Sequence, residues 1–280
     1  MRTLRTVAEV RAALAAPRRE GRSIGLVPTM GALHAGHMRL VETARGENDV
    51  VVVSLFINPM QFGPNEDLDR YPRDWDRDAK MLQEAEVDAV YRPTAAEMYP
   101  PGASTRVHVR GVTDGLEGAA RPRHFEGVAT VVTKLLAAVA PDRAYFGQKD
   151  AQQVAVVNRL ARDLDLGVEI RVVPTVREPD GLALSSRNVY LGPEERKAAR
   201  SISAALREAA AAYSSGERDP VRLRARIAAR LTLEPLVHLE YAELVDPATF
   251  QKPGTLAVIA ARVGKTRLID NHDVTKPFPG

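Results

Sequence analysis

The stretch Ile24-Gly25-Leu26-Val27-Pro28-Thr29-Met30-Gly31-Ala32-Leu33-His34-Ala35-Gly36-His37-Met38 decides the reading of the fold. A short apolar run ends at Pro28, a turn carrying glycine follows, and a helical pattern begins near Met38 and continues to Ala44. In an open α/β sheet such a turn lies beyond the carboxyl end of its strand, where ligands bind. A helix start there presents free N–H groups and the positive end of a dipole to phosphate. His34 and His37, three residues apart, can both reach one anion, and Gly31 and Gly36 permit close backbone approach. Two plainer readings stand beside this one: histidines satisfied at a helix start, or a metal site. Zinc lacks a third Cys or His ligand at recognisable spacing.

Working outward, apolar strand patterns recur at Ile24 to Val27, Val50 to Ile57, Ala89 to Tyr91, Arg143 to Phe146 and Val168 to Val173. Helical patterns at Asp74 to Ala85, Val128 to Ala140 and Asp150 to Asp163 alternate with them. Strand and helix in alternation with short connections imply an α/β fold, a doubly wound, Rossmann-like parallel sheet. Thr6 with Glu9 has capping-box spacing and opens a first helix that Pro17 should stop. After Thr175 two Ala/Arg-rich helices, Glu194 to Tyr213 and Pro220 to Leu231, precede strand-like runs at Val237 to Val245, Leu256 to Ala261 and Thr266 to Ile269. That order predicts a smaller C-terminal α+β domain with an antiparallel sheet. The expected division is 1–187 for the large domain and 188–280 for the small one, which would close over the site.

Composition narrows the function. With 280 residues, 45% hydrophobic and 27% charged, the chain can bury a full core. It has no cysteine, which excludes disulfides, thiolate metal sites and covalent catalysis through sulfur. The longest strongly apolar run, Val50 to Ile57, is far shorter than the ~20 residues that cross a bilayer. Arg2, Arg5, Glu9 and Arg11 interrupt the start of the chain, so no secretory h-region is present and the cytoplasm is expected. The pI of about 9.2 suggests nucleic acid, but the net charge is only +3, and 32 of the 39 bases are Arg. Aromatics are 5% of residues and no basic run interleaves with them, so no nucleic-acid partner is expected.

Other residues are placed for chemistry. Asn58 and Gln61 follow a strand end, where neutral amides can bind hydroxyls and a carboxylate without repulsion; read alone, they are also ordinary loop residues. Gly147-Gln148-Lys149-Asp150 again joins a strand to a helix. Lys149 offers a point charge to phosphate, Asp150 can cap the helix or accept a ribose hydroxyl, and Gln153 faces the same crevice one turn on. Ser185-Ser186-Arg187 combines hydroxyls with a guanidinium that can follow a departing phosphate, or is simple loop composition. Gly63 to Arg73 reads as a long loop able to close over the site. Asp76 and Asp78, just beyond it, are candidate Mg2+ ligands or merely charge at a helix start. His108 and His238 fall in strand patterns and His272 near the end, and none is assigned catalysis.

The His34-Ala35-Gly36-His37 turn resembles the His-x-Gly-His motif of the nucleotidylyltransferase superfamily. Together with Asn58-Pro59-Met60-Gln61-Phe62, Phe146 to Gln153, Ser185-Ser186-Arg187-Asn188 and Asp270-Asn271, in that order along nearly the whole chain, it resembles the pantothenate synthetase family. The resemblance implies an ATP- and Mg2+-dependent ligase that activates pantoate as its adenylate and transfers it to β-alanine. It places ATP at Met30, Gly31, Ala32, Leu33, His34, Ala35, Gly36, His37, Gly147, Gln148, Lys149, Asp150, Val176, Leu184, Ser185, Ser186 and Arg187. It places pantoate and β-alanine at Pro28, Met30, Asn58, Gln61 and Gln153. The residues that would stabilise reacting charge are His34, His37, Lys149, Ser185, Ser186 and Arg187, with His37 as proton donor. His124, in Arg121-Pro122-Arg123-His124-Phe125, matches a motif that builds the wall of the site or binds substrate. The family also implies a homodimer. Two departures stand out: Gln148 where many members have Glu, and Leu184 where Met is usual. The nearest rival is a nucleotidylyltransferase that leaves AMP on a phosphorylated acceptor.

Overall fold

The computed structural model describes residues 1–64 and 66–279, so Asn65, inside the loop expected after Gln61, lies outside the described residues. Along the chain run β1 (Arg2–Leu4), α1 (Val7–Arg19), β2 (Ile24–Thr29), α2 (Ala35–Glu47), β3 (Val50–Leu55), α3 (Trp75–Glu84), β4 (Ala89–Tyr91), α4 (Ala95–Met98), α5 (Glu117–Ala120), α6 (His124–Val139), β5 (Arg143–Gly147), α7 (Ala151–Asp163) and β6 (Glu169–Val173). They are followed by α8 (Pro193–Ser214), α9 (Pro220–Thr232), β7 (Val237–Val245), β8 (Leu256–Val263) and β9 (Thr266–Asp273). Short 3-10 turns occur at Pro59–Gln61, Gln148–Asp150 and Ser186–Tyr190.

The six strands of the larger unit pair in parallel in the order β1-β4-β3-β2-β5-β6. The four consecutive valines of β3 are wholly buried, as a strand covered on both faces requires. Ile24 lies opposite Val50 and Thr29 opposite Leu55, which brings the ends of β2 and β3 level. From β2 the chain returns to β3 on one side, and from β5 to β6 on the other. The order therefore reverses between β2 and β5, and the crevice beyond their carboxyl ends is the place for a ligand. β1 was not anticipated, because Arg2-Thr3-Leu4 carries a single apolar residue. Helix α1 passes through Pro17 to Arg19. A proline this near the helix end removes only its own N–H, and Glu20 and Arg22 still donate to the Ala16 and Pro17 carbonyls.

The smaller unit holds the antiparallel sheet β7-β8-β9 with α8 and α9. Its core joins Ile202 and Leu206 of α8, Leu223 and Ile227 of α9, and Ile259 and Leu268 of the sheet. The two compact units are Met1–Gly147 with Val156–Val173, and Gln148–Ala155 with Pro174–Gly280. The expected division after Arg187 thus falls earlier, after Val173, because β6 is the last strand of the parallel sheet. Beyond it, Arg177 bonds to β9 and pairs with Ala183. His108 lies in no strand. No helix among the described residues is long and apolar enough to cross a membrane.

Candidate active site

The turn after β2 is built from two successive left-handed residues, Gly31 at φ +84° and Ala32 at φ +53°. Gly31 has to be glycine: besides its φ, a Cβ there would stand 3.1 Å from Asp78 Oδ2. Asp78, buried on α3, holds the turn by accepting the N–H groups of Ala32 at 2.9 Å and Leu33 at 2.8 Å. Burial pushes its carboxyl upward, and the two amides oppose that shift. Asp78 is therefore a structural anchor, and both oxygens expected for Mg2+ are already engaged. By the same bonds the Ala32 and Leu33 amides face inward to a carboxylate and are not phosphate donors. Asp76 is exposed in the first turn of α3.

His34 caps α2, its Nδ1 accepting the Gly36 N–H at 3.1 Å. A backbone N–H can only donate, so in the neutral ring the proton sits on Nε2. The His37 ring lies 4.1 Å from it, centroid to centroid. Two imidazoles at the positive end of a helix are thus side by side, as the spacing implied.

Beside them in the same unit is the amide pair. Asn58 is 1% exposed and caps the Pro59–Gln61 turn. Its Nδ2 donates to the Gly127 carbonyl at 3.0 Å and to Gln61 Oε1 at 3.1 Å. Gln61 Nε2 in turn meets Met30 Sδ at 3.1 Å. The start of α6 supports this turn twice. His124 Nδ1 donates to the Gln61 carbonyl at 2.9 Å, and Gly127 packs so closely that a Cβ would lie 2.5 Å from the Met60 carbonyl oxygen.

His124 Nε2 then accepts from Arg121 at 3.1 Å, and Arg121 pairs through two bonds with Glu66 of the loop after Gln61. Burial and the neighbouring Arg121 hold His124 down to about 4 from 6.5, so the ring is neutral. The unfolded chain binds a proton below pH 6.5 and the native ring only near pH 4. This stabilisation is therefore complete above 6.5 and is lost as pH falls to 4, by at most ~3 kcal/mol. Urea unfolding between pH 7 and 4 should show His124→Asn losing less stability on acidification than the parent chain. Equal slopes would remove His124 from the account.

In the smaller unit, Gln148, Lys149 and Asp150 form a turn pinned by Asn271 of β9. Asn271 Nδ2 donates to the carbonyls of Gln148 at 3.0 Å and Lys149 at 2.8 Å, and its Oδ1 accepts from Gln148 Nε2 at 3.1 Å. The Gln148 amide thus uses a donor that Glu lacks. Asp270, next to Asn271, accepts two bonds from Arg177 at 2.6 and 3.0 Å in a pair with side chains 3% and 8% exposed, respectively. The Lys149 ammonium stands 3.4 Å from Asp150. Leu184 donates its N–H to the Val176 carbonyl at 3.0 Å, and Ser185 Oγ accepts the Arg187 N–H at 3.3 Å. β9 touches both the Ser186–Tyr190 turn and the Lys149 turn, and Gln153 is on the first turn of α7 in the same unit.

The Pantoate-beta-alanine ligase family model matches residues 2–273. The chain belongs to that family. It is 53% identical over 276 residues to the pantothenate synthetase of a Roseiflexus species, covering 97% of this chain and 98% of the relative. The enzyme of Acetivibrio thermocellus is 50% identical with the same coverage. Among solved structures, pantothenate synthetase from Thermus thermophilus superposes with a TM-score of 0.93 at 50% identity, covering 99% of this chain and 100% of that one. A ligase from Francisella tularensis, solved with beta-gamma ATP and beta-alanine, superposes with a TM-score of 0.82 at 35% identity over 99% of each chain. The reaction of this ligase is the ATP-dependent condensation of pantoate with β-alanine, giving pantothenate, AMP and pyrophosphate.

Sequence reading missed three contributors. Tyr99, which donates to Asn58 Oδ1 at 2.8 Å, comes from 41 residues away and carries no local signal. Gly127 lies just before the expected helix and was not singled out. The inward role of Asp78 was hidden because only packing tells a buried carboxylate from a helix-start charge.

Proposed function

We propose that the turn after β2 and the amide pair after β3 form the reacting end of this ligase. The contact of Gln61 Nε2 with Met30 Sδ at 3.1 Å carries the proposal. It joins amides suited to an acid with a helix start suited to phosphate. A carboxylate on Gln61 would then lie beside the α-phosphorus it attacks. Pro28, Met30, Asn58, Gln61 and Gln153 hold pantoate and, after it, β-alanine. The Met30 to His37 turn, Gly147 to Asp150, Val176 and Leu184 to Arg187 contact ATP.

In the first step a pantoate carboxylate oxygen attacks the α-phosphorus, the α,β-anhydride bond breaks, and pyrophosphate leaves. The His34 Nε2–H and His37 stabilise charge gathering on the phosphate, with His37 as proton donor. Lys149, Ser185, Ser186 and Arg187 bind the departing pyrophosphate through bonds that strengthen with its charge. In the second step the β-alanine amine attacks the acyl carbon, loses a proton, and AMP leaves. Both steps are positioning and electrostatics, and water must be kept from the mixed anhydride.

Mg2+ belongs to the same proposal and would neutralise triphosphate charge. Among the described residues no three His, Cys, Asp or Glu side chains group to hold a metal ion, and Asp78 is engaged elsewhere. This donor set does not form a protein cage for Mg2+, which fits an ion carried by the nucleotide with its waters. The homodimer and the cytoplasmic setting rest on the family resemblance.

The test omits β-alanine. With pantoate and MgATP alone the enzyme should exchange labelled pyrophosphate into ATP, and oxygen label from the pantoate carboxylate should later appear in AMP. Exchange that required β-alanine would overturn the adenylate order.

A further inference from the structure

We propose that Tyr99 is a positioning residue: its hydroxyl fixes which way round the Asn58 and Gln61 amides are held, so that Gln61 presents an N–H donor to an oxygen of pantoate. The inference rests on the reading of Gln61 as a pantoate contact.

The orientation of Asn58 follows from groups that have only one role. Met60 N–H, which can only donate, meets Oδ1 at 3.3 Å, and the Gly127 carbonyl, which can only accept, meets Nδ2 at 3.0 Å. Swapping the amide would set carbonyl against carbonyl and N–H against N–H. With Oδ1 so placed, the Tyr99 hydroxyl must donate to it, at 2.8 Å. The second hydrogen of Nδ2 then goes to Gln61 Oε1 at 3.1 Å, which makes that atom the acceptor. Gln61 is left with Nε2 toward Met30 Sδ, a weak acceptor that a substrate oxygen readily outcompetes. The chain of bonds thus has one direction, from Tyr99 O–H through Asn58 to Gln61.

Tyr99 suits the role. It follows α4 directly, its ring packs at 6.2 Å from that of Phe56, and burial pushes its hydroxyl up to about 12, so it stays a donor throughout the working range. Without that donor, Asn58 Oδ1 keeps only the longer bond from Met60, and the amide pair is held less firmly in the donating arrangement. The loss should fall on pantoate and spare ATP.

Initial rates of pyrophosphate exchange would be compared for the parent enzyme, Tyr99→Phe, Gln61→Ala and the double variant, with melting temperatures. Tyr99→Phe should raise the KM for pantoate about 5-fold or more, leave the KM for ATP within about 2-fold, and melt close to the parent. In the Gln61→Ala background the same change should add almost nothing. Parallel rises in both KM values with a lowered melting point, or full additivity with Gln61→Ala, would overturn the positioning role. If Tyr99→Phe melts low, the rates are compared at a temperature at which it is folded, and a pantoate KM equal to the parent's there would equally overturn that role. A Gln61→Ala enzyme with unchanged pantoate KM would instead refute the underlying assignment of Gln61.

Discussion

His37→Ala is expected to keep the fold and lose pantoyl-adenylate formation by ~100-fold or more, the usual consequence of removing a positioned proton donor or charge-stabilising group. The helix does not depend on this side chain. His34 supplies the cap, while Leu40, Val41 and Ala44 bury the inner face of α2, and alanine is the strongest helix former. The deficit should therefore appear in pyrophosphate exchange and not in the melting curve. The His34 ring, 4.1 Å away, remains in the variant, so residual activity is expected but not rescue. A folded variant exchanging pyrophosphate at a near-normal rate would remove His37 from the chemistry.

Gly127→Ala should be the most damaging single methyl group near the site. Its Cβ would stand 2.5 and 2.6 Å from the Met60 carbonyl and 2.7 Å from the Gln61 nitrogen, all backbone atoms with no rotamer to yield. Either α6 or the Pro59–Gln61 turn must move, which breaks the Asn58 bond to the Gly127 carbonyl and tilts the Gln61 amide. Overpacking of this kind costs about 1–3 kcal/mol. Pantoate should suffer more than ATP, with a KM raised ~10-fold or more, because displacement of about 1 Å is enough to spoil a near-attack geometry. Urea unfolding and initial rates with each substrate varied would read the two effects. Unchanged stability with unchanged pantoate KM would show that the helix and turn tolerate the methyl group.

Much of the molecule was legible in advance because its signals are local. Apolar runs located all the strands except β1, whose Arg2-Thr3-Leu4 holds a single apolar residue. The His34 to His37 turn was legible for the same reason: strand, glycine turn and helix start are consecutive, so their geometry is fixed within one short stretch. Ser185 to Arg187, by contrast, carried no signal of their own. Only the family pattern singled them out, because three polar loop residues look alike whatever they bind.

The amino-acid sequence by itself determined the fold class and the family, and it named candidate groups for phosphate and an acid. Tertiary structure alone decided which of those groups are available. It turned Asp78 inward to two amides and made Gly127 a close contact. It also brought Tyr99 to Asn58 across 41 residues, and Asn271 to the Lys149 turn across 122. The physical reason is that periodicity and capping act between near neighbours along the chain. The satisfaction of a buried donor or acceptor depends instead on whatever packing delivers to it, from any distance in sequence.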